Sequence, residues 1–161
     1  MGNGSLTFRI VNLKIYNYKT TTPWDETKDF VIAEAFGTYC LYEDPAALPK
    51  DCPQPACLDT GKTELSFIRD MYHVVARETR YKNWITWWWN FQDEVTYLSP
   101  KEADVMSLYW NDLWTTLIKR VEEEYPIHTD AVRRIAKEMG DIIAYAAIKG
   151  LTVRIDHNNG Y

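Results

Sequence analysis

At Gly61 the hydrophobic pattern of this chain changes period, from alternation to a helical repeat of about 3.6 residues, which restricts it to folds that take strands first and helices afterwards. Before that point Leu6, Phe8 and Ile10 alternate with Thr7 and Arg9. The phase slips at Val11-Asn12 and resumes with Leu13 and Ile15 about Lys14. A long strand from Leu6 to Tyr18 with a bulge at the slip is expected. A polar stretch containing Pro23 separates it from a second expected strand, Phe30 to Tyr42, whose Gly37 weakens its middle. Residues 43–61 hold four of the seven prolines and read as a loop.

Beyond Gly61, Leu65, Ile68, Tyr72, Val75 and Thr79 share one stripe, so Lys62 to about Tyr81 is expected to be an amphipathic helix. Trp84, Trp88, Phe91 and Val95 repeat the spacing in a new phase, and the helix either continues or restarts near Asn83. Ser99-Pro100-Lys101-Glu102 then opens another. Serine caps the first amides, proline suits the first helical position, and glutamate reaches back to the cap. Met106, Trp110, Leu113, Leu117 and Val121 form the inward stripe of this helix, Trp114 and Ile118 widen it, and Pro126 stops it. A last helix starts at Thr129 or Asp130, turns Ala131, Ile135, Met139, Ile142 and Ala146 inward, and ends at Gly150. Leu151, Val153 and Ile155 alternate as a short strand over 151–155, ahead of a polar, loose tail over 156–161. The expected organisation is one domain, with strands in 1–42, a Pro-rich loop in 43–61 and a helical part in 62–150. The fold class is α+β: a small, mostly antiparallel sheet of two long N-terminal strands and a short C-terminal strand, packed against three or four helices. A chain of 161 residues that is 46% apolar buries a core without disulfides or a structural metal.

The charge balance narrows the function classes. Eighteen basic against 23 acidic side chains leave a net charge of −5, which argues against affinity built on neutralising many phosphates. The sequence contains no long apolar run and no basic-then-apolar leader, so a cytoplasmic protein without membrane contact is expected, in a host cytoplasm or a virion if the source is viral. Cys40, Cys52 and Cys57 lack the spacing and histidine partners of a zinc site. Pro53-Gln54-Pro55 between the last two leaves a loop-stapling Cys52–Cys57 disulfide open beside the alternative of three free thiols.

Three constellations carry candidate chemistry. Glu138 and Asp141, three apart on the last helix, share a face and are weak candidates for binding Mg²⁺ through oxygen ligands. The segment Glu138-Met139-Gly140-Asp141-Ile142-Ile143-Ala144-Tyr145 resembles the Glu-x-x-Asp helix of the all-α nucleotide pyrophosphohydrolases of the MazG and dimeric dUTPase kind. That family pairs it with a Glu-x-x-Glu helix, for which the contiguous Glu122, Glu123 and Glu124 are no substitute. On the first helix Arg69, His73 and Arg77 follow at intervals of four, with Asp70, Glu78 and Arg80 beside them. His73 and Glu78 are thus candidate acid-base residues, set against the alternative of an ion-paired outer face. Trp84, Trp87, Trp88, Trp89 and Phe91 form the third. Three consecutive tryptophans span about 200° of a helix, so they cannot all enter one core stripe, and the remainder lies under the loop, meets another chain or forms a stacking platform for sugar rings or single-stranded bases. The expected function is a non-catalytic oligomerising or partner-binding protein that uses this aromatic-rich surface, of the accessory or assembly kind that viruses and mobile elements encode. The alternative is a metal-dependent nucleotide pyrophosphohydrolase-like enzyme, or another hydrolase with helix-borne carboxylates, in which Mg²⁺ would be the cofactor. The partner expected is a second copy or another protein rather than nucleic acid.

Overall fold

The computed structural model describes residues 5–17, 39–44, 48–59 and 95–158. Strand β1, Ser5–Val11, turns Leu6, Phe8 and Ile10 into the core and ends at Asn12. There the chain leaves the sheet, and β2, Leu13–Asn17, pairs instead with β3, Tyr39–Glu43, in a separate antiparallel ribbon. The phase slip read as a bulge is therefore a break between two sheets. The Asp44 amide donates to the Asn12 carbonyl at 2.8 Å and ties the two together at that point. The long first strand is corrected accordingly, and of the second expected strand only its end, in β3, falls within the described residues.

The main sheet has four strands in the order β4-β1-β6-β5, all antiparallel to their neighbours. Strand β4, Ala56–Asp59, lies inside the stretch expected to be loop. Strand β5, Val95–Leu98, lies where the helical phase was extended. Strand β6, Thr152–Asn158, is neither short nor peripheral. It pairs along all of β1, from Val11↔Thr152 to Ser5↔Asn158, so Asp156 to Asn158 belong to a strand rather than to a loose tail.

Two helices cover one face of this sheet. Helix α1, Pro100–Glu124, begins with the expected capping box: the Glu102 amide donates to Ser99 Oγ and the Ser99 amide to Glu102 Oε1, both at 3.1 Å. After a 3-10 turn at Pro126–His128, helix α2, Thr129–Lys149, runs back and ends at Gly150, whose φ of 67° lets Leu151 donate to the Ala146 carbonyl. Helix α2 lies over β4, β1 and β6, and α1 over β6 and β5. Met106, Leu113, Leu117 and Val121 meet Phe8, Leu58, Val153, Met139 and Ile142 in one core, all at most 1% exposed. The structure is thus mixed helix and antiparallel sheet, with two helices among the described residues. The helix expected over 62 to about 81 lies outside them.

Candidate functional site

Two surfaces concentrate polar or uncovered side chains. The first is the helical hairpin. Trp110 stacks obliquely on Trp114 at 5.3 Å between ring centroids and on Phe8 at 6.1 Å, and its Nε1 donates to the Ala136 carbonyl of α2 at 2.9 Å. Gly140 lets the helices approach there, because a Cβ at that position would stand 2.8 Å from the Trp110 ring. Between the helices runs a groove of about 400 Å³ with Trp110 and Trp114 as its floor and Ile118, Ala136, Gly140 and Ala144 along its sides. At the turn of the hairpin Tyr125, Pro126 and Ile127 are all exposed, Ile127 at 86%. Turns are ordinarily polar. Glu123 and Glu124 precede this apolar tip and Arg134 follows it, all exposed, while Glu122 pairs with Arg133.

The second surface is the sheet face opposite the helices. Arg9 on β1, Tyr97 on β5, and Arg154 and Asp156 on β6 take the outward phase of their strands. Arg9 and Arg154 are direct cross-strand neighbours, and like charges placed so repel unless acids intervene. Asp156 and Glu43 do so. Arg154 donates from Nη1 to Glu43 Oε1 at 2.5 Å and from Nε to Asp156 Oδ1 at 3.1 Å, Arg9 Nε stands 3.6 Å from Asp156, and the Tyr97 hydroxyl donates to Glu43 at 2.7 Å. Burial pushes the Glu43 carboxyl up, but the Tyr97 and Arg154 hydrogen bonds and the charges of Arg154 and Arg9 outweigh it and hold the carboxyl below its ordinary range. Burial, then the bond to Glu43 and that carboxylate's charge, push Tyr97 up to about 12.

Beside this network, where β1 ends, lies a cavity of about 570 Å³ whose wall includes Arg9, Glu43, Leu48, Lys50, Cys52 and Pro53. Its outer rim is fixed to the helical layer by the Tyr145 hydroxyl, which donates to Asp51 at 2.7 Å. Both Cys52 and Cys57 are free thiols, so the disulfide left open by the sequence is not formed. Pro53-Gln54-Pro55 continues as extended chain instead of turning back, and Cys57 takes the exposed phase of β4 between buried Ala56 and Leu58. Desolvation and the charge of Asp51 push the Cys52 thiol up, away from thiolate character.

Of the other residues singled out by sequence, Glu138 and Asp141 both lie on the exposed side of α2, where Asp141 accepts from Lys137 Nζ at 2.7 Å. Glu122, Glu123 and Glu124 are exposed at the end of α1. Among the described residues no group of three or more histidines, cysteines and acids gathers around a common point. His73, Glu78, Trp84, Trp87, Trp88, Trp89 and Phe91 lie outside the described residues. Sequence reasoning missed the Arg154 network, in which Arg154 and Glu43 stand 111 positions apart and Arg9 and Asp156 lie farther apart still. It also missed the hairpin tip, although Tyr-Pro-Ile at a helix stop carried the signal. No helix among the described residues is long and apolar enough to cross a membrane. Comparison with protein-family models, curated proteins and solved structures finds no match.

Proposed function

We propose that the protein is a non-catalytic cytoplasmic binding component that assembles with a second copy of itself, with the hairpin turn as part of the contact. The observation that carries this reading is the exposed Tyr125-Pro126-Ile127 tip, bracketed by Glu123 and Glu124 on one side and Arg134 on the other. An apolar knob flanked by both signs of charge is self-complementary under a two-fold axis, since each copy's acids then meet the other's arginine. The sequence pattern adds Trp87 and Trp89 to this proposal, since three consecutive tryptophans on an expected helix could not all enter one core stripe. An accessory or assembly role, as in a virus or mobile element, uses surfaces of this kind.

Native mass spectrometry and sedimentation equilibrium test the reading. The wild-type chain is expected as a discrete oligomer, and Ile127→Asp is expected to shift it toward monomer while leaving the helical circular dichroism intact. Combined Trp87→Ser and Trp89→Ser changes are expected to weaken assembly further. A monomeric wild type at tens of micromolar would overturn the proposal, as would an oligomer indifferent to all three substitutions.

A further inference from the structure

We infer that the cavity at the end of β1 is a binding site for a small organic anion with a flat apolar body. At about 570 Å³ it has the size of a small-molecule site, and it is built on a strand rather than on loops alone. Leu48, Pro49 and Pro53 supply the apolar wall. Two cations supply the polar end, and their engagement differs from that of the nearest acid. Glu43 already accepts from both Arg154 and Tyr97. Arg9 Nε, by contrast, is buried without a hydrogen-bond partner, Asp156 standing off at 3.6 Å, and Lys50 is exposed on the same rim. Glu43 and Asp44 also line this cavity, so the pull on an anion comes from local contacts with Arg9 and Lys50 rather than from net charge. The accessible part of the Arg9 side chain, 41% exposed, and the exposed Lys50 both line the cavity, and a carboxylate or sulfonate there gains charge-assisted contacts from them. Arg154 pairs with Glu43 and Asp156, so the Glu43 carboxylate that lines the cavity has its charge answered within the network.

The site is tested with two fluorescent probes of matched shape, anilinonaphthalene sulfonate and the neutral phenylnaphthylamine. The sulfonate is expected to bind one per chain, and Arg9→Gln and Lys50→Gln are each expected to weaken it about tenfold, as for one charge-assisted contact, while phenylnaphthylamine binding stays unchanged. Lys119→Gln, on the exposed side of α1, serves as a control that leaves both probes unaffected. Position is read independently from the thiols of Cys52 and Cys57. The bound sulfonate is expected to protect Cys52, which lines the cavity, from N-ethylmaleimide and to leave exposed Cys57 reactive. Because Arg9→Gln also removes an ion pair, Lys50→Gln carries the result if the former unfolds. Sulfonate binding insensitive to Lys50→Gln, equal loss of both probes, or absence of selective Cys52 protection would each overturn the assignment.

Discussion

The α1–α2 hairpin joins residues that are neighbours along the chain through a single short turn, whereas the sheet gathers Ser5–Val11, Ala56–Asp59, Val95–Leu98 and Thr152–Asn158 from widely separated stretches. The hairpin is specified locally, by a capping box, a stripe of large apolar side chains and a left-handed glycine. The sheet is specified by its partners. On its outward face Glu43 and Asp156 separate two arginines that the register of β1 and β6 forces together. Phe8 and Trp110 join the two regions across the core. The difference teaches that a region's legibility and its dependence on the rest of the molecule are inversely related.

The largest effect expected is that of Phe8→Ala. It removes a fully buried ring shared by both regions and is expected to cost about 3–5 kcal/mol in urea unfolding. If helix and sheet signals then melt together, the regions form one cooperative unit; separate transitions would divide them. Gly140→Ala sharpens the comparison within the hairpin alone. Helix propensity predicts a gain of about 1 kcal/mol, but the new Cβ would stand 2.8 Å from the Trp110 ring. Overpacking is expected to win, with a net loss of about 1–3 kcal/mol, and a stabilised variant would show that the two helices separate freely. Ser99→Ala tests the purely local element and is expected to cost about 1 kcal/mol, measured as a lowered urea midpoint without a change in slope.

The smallest effect is read as pH dependence in the sheet. Glu43 has its folded pKa depressed, so its contribution is present at neutral pH and lost as pH falls below the ordinary glutamate range. Tyr97 has its folded pKa raised to about 12, so its contribution is complete below about 10 and lost as pH rises from there. Tyr97→Phe is expected to cost about 1 kcal/mol at neutral pH and to flatten both the acid and the alkaline limb of the stability curve. Unchanged limbs would mean that the Tyr97–Glu43 bond does not form in solution.

What the sequence could reveal follows the same division. The stripe from Met106 to Val121 repeats over enough turns to be unambiguous, and Ser99 and Glu102 name their own partners. Val95 sits four residues after Phe91, so the helical phase claimed it. In a four-residue strand the β-branched and aromatic run Val95-Thr96-Tyr97 was the better signal. Prolines on the near side hid the alternation of Ala56 and Leu58 about Cys57. The polar run from Asp156 to Tyr161 reads as a tail, yet Asp156 belongs on an open sheet face with arginines to answer it. The Arg154 cluster and the neighbouring cavity depend on register between distant segments, which no local pattern encodes. The surface reading built on Trp84 to Phe91 rests on sequence alone.

Strand β6, inner and paired with β1 along its whole length, is synthesised after every other described element. Strand β1 precedes the other described elements, so one long edge of it stays unsatisfied while both helices emerge and close on each other. That waiting edge is open to β1 of another nascent chain. The interval between the synthesis of β1 and that of β6 is the window in which that edge is exposed to wrong pairing.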